Sequence, residues 1–123
     1  VTTIAGSGTE GSADGVGDAA QFCDPAGIAI RPDGGALFVT DYENHMIRRV
    51  EVATGAVTTV AGSGTRGGSA DGVGTAAEFY RPRGVAISPD GSALFVADEA
   101  NHKIRRVEVA TGAVSTVAGS GTR

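Results

Sequence analysis

The chain has 123 residues, which is enough for one modest core, and carries a formal charge of -4. Its 20 glycines, two tyrosines, four phenylalanines and absent tryptophan predict many turns around an aliphatic core. The mild negative charge disfavours a nucleic-acid partner, and no apolar run reaches the roughly 20 residues of a membrane span.

One unit is used twice. Residues 1–56 align with residues 57–113, with Gly68 as a single insertion, and residues 114–123 begin a third copy. The two copies differ at only 14 of 56 aligned positions. Such faithful copies predict one supersecondary unit built twice. They also suggest a recently amplified or engineered fragment, and we expect the chain to be part of a longer protein.

The first predicted element of each unit is a strand. β-Branched residues at 1–5 return at 57–61 and 114–118, without a helical period. The next 19 residues, 6–24, are rich in Gly, Ser and Asp, and we expect one helical turn at 19–22 whose Phe22 holds this long loop to the sheet.

Three further strands complete each unit. Residues 27–30 are wholly apolar, as in a strand that is buried on both faces, and they precede a Pro-Asp-Gly turn. Residues 36–40 and 45–52 then predict a hairpin. The fold class is therefore all-β, with two four-stranded antiparallel blades per chain plus an extra outermost strand. Sheets with two apolar faces need neighbours, which favours a β-propeller with residues 27–30 nearest the axis. A two-sheet sandwich is the alternative, although it would leave apolar outer faces.

These motifs resemble those of the NHL-repeat β-propeller family. The resemblance is carried by Pro25-x-Gly-Ile-Ala-Ile, Pro32-Asp-Gly, Leu37-Phe-Val-x-Asp and Asn44-His-x-Ile, which return between Pro82 and Ile104. It implies closed rings of about six blades, and two blades are too few to bury their faces. We therefore expect completion by head-to-tail oligomerisation, with three copies favoured and four possible. One terminal copy of the outermost strand, at 1–5 or 114–118, would then be displaced or swapped.

The turn between the last two motifs carries repeated polar residues that could form a site. We expect a structural clasp in which His bonds to Asp, rather than a catalytic group, because no Ser or Cys nucleophile recurs beside the histidines. The clasp residues are Asp41, Asn44 and His45, with Asp98, Asn101 and His102 in the second copy.

Three other motifs are interpreted as structural. The G-x-G-x-x-G pattern at 6–11 is not followed by a helix former, so no dinucleotide cofactor is expected. Asp14 and Asp18 supply too few ligands for calcium, which needs roughly 6 to 8 oxygens, and Asp14 and Asp71 are expected to accept local backbone hydrogen bonds. Cys23 has Tyr80 as its counterpart, so neither a disulfide nor a cysteine metal site is expected within one chain.

The differences between the copies locate a candidate surface. Nine of the 14 lie in or beside the long loop and the Asp-to-His turn, which leave the same face of a propeller. This loop face is the predicted surface for a protein or peptide ligand. Its candidate contact residues are Glu10, Asp24, Tyr42, Glu43, Arg66, Tyr80, Arg81, Arg83 and Glu99.

Two arginine pairs, at 48–49 and 105–106, allow a ring of charge for RNA or phosphate. We favour instead their pairing with carboxylates, chiefly with those of a neighbouring blade. The leading functional hypothesis is a non-enzymatic scaffold or binding module without a cofactor or membrane partner. The alternative is a lyase- or hydrolase-like propeller enzyme with a metal in its central channel.

Overall fold

The computed structural model describes residues 1–121 and contains two antiparallel sheets of five strands each. The first blade contains β1 (Gly15–Val16), β2 (Pro25–Ile30), β3 (Ala36–Asp41), β4 (Met46–Glu51) and β5 (Ala56–Ala61). The second contains β6 (Gly72–Val73), β7 (Pro82–Ile87), β8 (Ala93–Asp98), β9 (Lys103–Glu108) and β10 (Ala113–Ala118). Four one-turn 3₁₀ helices interrupt the connections, at Gly17–Ala19, Tyr42–Asn44, Gly74–Ala76 and Glu99–Asn101. None of the helical turns within residues 1–121 is long and apolar enough to cross a membrane.

Both blades have the same strand order. The first runs β1-β5-β4-β3-β2, and the second runs β6-β10-β9-β8-β7. The predicted all-β class and the four main strands of each blade are confirmed. The fifth strand was not predicted: two residues of the long loop, in β1 or β6, fold back to pair with the last long strand. The predicted helical turn is displaced to Gly17–Ala19, and Phe22 packs on the first blade as expected.

The prediction of a strand at residues 1–5 is wrong. These residues form no strand, whereas β5 and β10, which repeat their sequence, pair with β4 and β9. The reason is that such a segment needs the strand before it as a ladder partner, and residues 1–5 have none within residues 1–121. Each blade therefore has one strand of this sequence, β5 or β10, and residues 1–5 are the third copy that is not used as a strand.

The blades pack face to face through a shared apolar core. Phe38 and Ile47 of the first blade are fully buried against Leu94 and Val96 of the second. β2 and β3 of the first blade both contact β7 of the second. Thr40 fixes this approach, because its hydroxyl accepts from Gly27 N at 2.8 Å and donates to Arg83 O at 2.6 Å.

The outer face of each blade is open. β2 was predicted to be buried on both faces, but Ile28 and Ile30 are 61% and 56% exposed because no sheet covers that side of the first blade. On the opposite side of the pair, Phe95 and Ile104 are exposed, although their counterparts Phe38 and Ile47 are buried. The exposed face of the second blade is thus equivalent to the face that the first blade buries in the interface, and the exposed face of the first blade is equivalent to the face that the second blade buries there.

Candidate binding surface at the blade junction

A buried arginine organises each long loop. Arg48 donates to Asp41 Oδ2 at 2.7 Å and to Asp14 Oδ1 at 2.9 Å, and its guanidinium lies 5.0 Å from the centre of the Phe22 ring. It also donates to the carbonyls of Ala13 and Gln21. One side chain thereby connects the sheet to two points of the loop. The second blade repeats this arrangement around Arg105, with Asp98 and Asp71.

This network corrects two expectations. Arg48 and Arg105 pair with carboxylates of their own blade and not with those of a neighbour, because β4 and β9 point these side chains beneath their own loops. Arg49 and Arg106 pair with Glu51 and Glu108, two residues further along the same strand. The second expectation concerned Asp14 and Asp71, which accept from arginine and threonine side chains and not from local backbone groups.

The predicted clasp exists in part. Asp41 Oδ2 accepts from Asn44 Nδ2 at 2.7 Å, and the same bond joins Asp98 to Asn101 at 2.8 Å. Asn44 also donates to Gly11 O, which ties the turn to the long loop and confirms that these two connections lie on one side of the blade.

The histidines do not bond to the aspartates as predicted. His45 adopts a left-handed φ of 57°, which directs its ring across the junction, and its Nδ1 accepts from Arg81 N at 3.0 Å. Burial lowers the pKa of His45, consistent with a neutral ring that offers Nδ1 as an acceptor. His102 has the same backbone conformation, with a φ of 56°, but it lies exposed on the open face of the second blade.

Most of the candidate contact residues meet at the boundary between the blades. We call this group the junction cluster: Tyr42, Glu43, His45, Arg66, Tyr80, Arg81, Arg83 and Glu99. Its members come from the turns of both blades, from the second long loop and from the start of β7, and seven of the eight differ from their counterparts in the other copy. Six of the 14 positions that differ between the copies are therefore represented at one place in three dimensions.

Polar bonds cross this cluster between the blades. Tyr42 Oη donates to Glu99 Oε1 at 3.0 Å, and Arg83 Nε lies 2.7 Å from Glu99 Oε2. The Arg83 guanidinium also lies 5.0 Å from the centre of the Tyr42 ring. Arg83 is thus held by a carboxylate and an aromatic ring together.

Tyr80 is the centre of a second group of contacts within the cluster. The guanidiniums of Arg66 and Arg81 lie 5.9 Å and 5.7 Å from the centre of its ring, and the His45 ring meets it edge-on at 5.5 Å. Arg66 Nε donates to Tyr80 Oη at 3.3 Å. That hydrogen bond and the nearby positive charge lower the pKa of Tyr80.

Glu10, Asp24 and Asp18 are not brought into the cluster by direct contacts. Glu10 Oε2 lies 3.6 Å from Cys23 Sγ, and desolvation together with this carboxylate raises the pKa of the Cys23 thiol. Asp24 has a φ of 59°, equivalent to the 55° of Arg81, and is exposed. Asp18 lies in the exposed 3₁₀ turn beside β1.

Residues 1–121 contain no group of three or more His, Cys, Asp or Glu side chains placed to hold a metal ion. After the glycine-rich stretch at 6–11, the chain forms β1 and one 3₁₀ turn, a geometry that offers no helix N-terminus to a pyrophosphate. The junction cluster itself consists of charged and aromatic side chains, with one histidine.

Sequence reasoning missed Arg48 and Arg105 as the organisers of the loops. A signal was present, since both copies keep an arginine seven residues after the clasp aspartate and an aspartate in the loop. The contact of Tyr42 with Arg83 had no signal in the sequence, because it depends on how one blade is rotated against the next.

Comparison with known proteins agrees with this fold. Residues 22–49 match the model of the NHL repeat. The chain is 35% identical over 107 residues to human NHL repeat-containing protein 2, a match that covers 87% of the chain and 15% of that relative. The chain therefore spans only about a seventh of the relative's length.

Solved structures of similar fold include the following two proteins. An auxiliary nutrient binding protein from Bacteroides thetaiotaomicron matches 75% of this chain and 25% of its own, with 26% identity and a TM-score of 0.66. The PQQ-bound aldose sugar dehydrogenase from Streptomyces coelicolor matches 95% of this chain and 32% of its own, with 22% identity and a TM-score of 0.58, which is a likeness of fold alone. From the repeat motifs, the blade topology and these matches, the chain belongs to the NHL-repeat β-propeller family.

Proposed function

We propose that the chain is part of a non-enzymatic binding or scaffold module that presents its loop face to a protein or peptide. The observation that carries this proposal is the junction cluster, where the differences between two otherwise similar blades come together on exposed loops. A surface that varies while its scaffold stays constant is typical of recognition.

The proposal also explains the roles of the ionisable residues. The fully buried charged side chains of the first blade, Asp41 and Arg48, bond each other and hold a loop in place. His45 bonds a backbone N–H at the junction, and the strands expected nearest the axis, β2 and β7, carry no histidine. These assignments favour binding over the alternative of a metal-dependent enzyme.

We further propose that copies of this chain associate head to tail into a closed ring, with three copies making six blades. Support comes from the two open faces. A cleft of about 470 Å³ on the first blade is lined by Phe22, Leu37 and Val39, whose counterparts Phe79, Leu94 and Val96 fill the existing interface. A cleft of about 390 Å³ on the second blade includes Ile104, the counterpart of Ile47. A second copy would therefore bring the same apolar groups together again.

Native mass spectrometry of the 123-residue chain at micromolar concentration tests the assembly. The expected mass is that of three chains, and a mass of four chains would change the ring to eight blades. Ile104→Glu, which places a charge on the open face, is expected to give a folded monomer. The matched control is Val73→Glu, whose side chain is 60% exposed on the short strand β6, and it should leave the assembly intact. A wild-type chain found only as a monomer would overturn the ring.

A further inference from the structure

We infer that Arg66 and Arg81, together with the Tyr80 ring that both contact, bind a carboxylate of an acidic peptide segment. This inference rests on the proposed binding role of the loop face and names the chemistry of its ligand. It does not depend on assembly, because all three residues belong to the second blade of a single chain.

The three arginines of the junction cluster differ in how far their charge is already neutralised. Arg83 Nε is bound to Glu99 at 2.7 Å, so this guanidinium is occupied. Arg81 has only a loose ion pair, because its buried Nε lies 3.6 Å from Glu43 Oε1, beyond hydrogen-bonding distance, and no carboxylate hydrogen-bonds its guanidinium within residues 1–121. Arg66 is exposed and bonds a neutral phenol, and no ion pair joins it to a carboxylate among residues 1–121. Two guanidiniums thus keep donors for an incoming anion.

The positions of these two side chains are constrained by the same ring. Arg66 is hydrogen-bonded to Tyr80 Oη, and Arg81 lies over Tyr80 and also 5.8 Å from the centre of the Tyr42 ring. The backbone of Arg81 is fixed by its hydrogen bond to His45. Planar guanidiniums held in this way lose less rotational freedom on binding, and they match the geometry of a carboxylate.

The surrounding charges favour a short acidic segment over a nucleic acid. Glu43 lies beside Arg81 and acts electrostatically on Arg66, while Asp24 acts on Arg83 and Glu99 binds it. A peptide can place one or two carboxylates on Arg66 and Arg81 and neutral residues elsewhere. A nucleic-acid backbone carries a charge at every step, so it would meet these acidic groups as well as the arginines.

The site occurs once in the chain. The first copy has Glu10, Cys23 and Asp24 where the second has Arg66, Tyr80 and Arg81. This exchange replaces two positive charges with two negative ones on the same loop scaffold. The equivalent surface of the first blade is therefore not expected to bind the ligand, since its negative charges would repel a carboxylate.

Fluorescence polarisation with two labelled peptides tests the inference. The probe is Gly-Ser-Glu-Asp-Glu-Ser-Gly, and its partner carries Gln and Asn in place of Glu and Asp. The acidic peptide is expected to bind more tightly, and Arg66→Gln should weaken its binding about tenfold, the effect of losing one charge-assisted contact. Arg106→Gln is the matched control, because Arg106 is also a partly exposed arginine but is paired with Glu108.

Each other outcome would overturn the inference. Equal binding of the two peptides, or no binding of the acidic one, would remove the carboxylate site. Equal losses in Arg66→Gln and Arg106→Gln would show only general charge attraction. Tight binding of a labelled single-stranded RNA but not of the acidic peptide would assign the arginines to phosphate. Binding of the neutral peptide alone would leave the proposed binding module intact while removing this ligand class. Circular dichroism of both variants shows whether the fold is unchanged.

Discussion

Arg48 is the residue on which the first long loop depends, because it is fully buried and bonds Asp41, which is also fully buried. A buried ion pair contributes less to stability than its contacts suggest, since both charges lose their hydration. Removing only one partner of the pair, however, is expected to destabilise the fold strongly. The remaining charge would be buried without compensation, and three loop contacts would be lost with it.

We expect Arg48→Met to lower the free energy of unfolding by about 3–5 kcal/mol. The control is Arg49→Met. The Arg49 side chain is 30% exposed and pairs with a partly exposed Glu51, so that its loss should cost about 0–1 kcal/mol. Urea denaturation of the two variants, followed by circular dichroism, measures the difference. Equal costs would contradict the role assigned to Arg48.

His45 predicts a pH dependence of stability. Burial lowers its pKa below the ordinary 6.5, so the unfolded chain takes up a proton at higher pH than the folded chain does. The contribution of neutral His45 is therefore fully present above pH 6.5 and is lost as the pH falls through the folded pKa. Protonation also removes the acceptor that Nδ1 offers to Arg81 N.

Unfolding free energies measured well above and well below pH 6.5 test this prediction. His45→Asn should abolish the part of the pH dependence that arises from this ring, and asparagine tolerates the left-handed backbone. His102→Asn makes the same change at an exposed histidine with the same φ and should leave the dependence unchanged. A dependence that survives in His45→Asn would assign it to other groups.

At the scale of single elements, β2 and β7 have nearly identical sequences but tolerate substitution of the same glycine differently. A Cβ on Gly27 would overlap the carbonyl oxygen of Arg83 in the next blade. At the equivalent Gly84, the nearest atom would be the Ala97 side chain at 3.7 Å, an ordinary contact. Glycine is therefore required at position 27 by the close approach of β7.

Gly27→Ala is expected to destabilise the chain by about 1–3 kcal/mol, because the blades would have to separate. Gly84→Ala should change stability by less than about 0.5 kcal/mol under dilute conditions, where copies do not associate. Thermal or urea unfolding of the pair provides the comparison. Similar stabilities would mean that the junction is looser than the contacts of Gly27 indicate.

The long strands were predictable because period-2 and apolar runs are local properties of the sequence, and repetition doubled the evidence for each. β1 was not predictable, since a Gly-Val pair contains no strand pattern. This short strand forms only because β5 offers it an edge. Residues 1–5 illustrate the reverse failure: they share the sequence of β5 but not its neighbour. Glu43 and Arg81 could be selected as surface candidates because they differ between copies, whereas their meeting required the geometry of the junction.

At the scale of the whole molecule, the two junctions of the proposed ring are not equivalent. Within the chain, Thr40 bridges Gly27 N and Arg83 O. Between copies, Ala97 would occupy the position of Thr40 and Ala26 that of Arg83. The junction between copies would therefore lack one hydroxyl bridge and the Arg83 contacts, which makes it the weaker of the two.

Ala97→Thr is expected to strengthen association by about 0.5–1.5 kcal/mol per junction, the net value of one added hydrogen bond. Analytical ultracentrifugation over a dilution series gives the association constants. Ala110→Thr adds the same hydroxyl at an exposed turn and should have no effect. An Ala97→Thr chain that associates no better than the control would show that the copies do not meet through this face.

The two-residue strands β1 and β6 have a consequence for solubility. An unpaired sheet edge is a template on which strands of other molecules can add, and this is a route to aggregates. Here the long loop folds back so that Val16 pairs with Ala56, and Val73 with Ala113, at the outer edge of each sheet. The short strands thus cover part of the outer edge of each sheet, which disfavours the addition of strands from other molecules at that edge. In a molecule with two exposed apolar faces, this arrangement favours association through the faces of the blades over association through their outer edges.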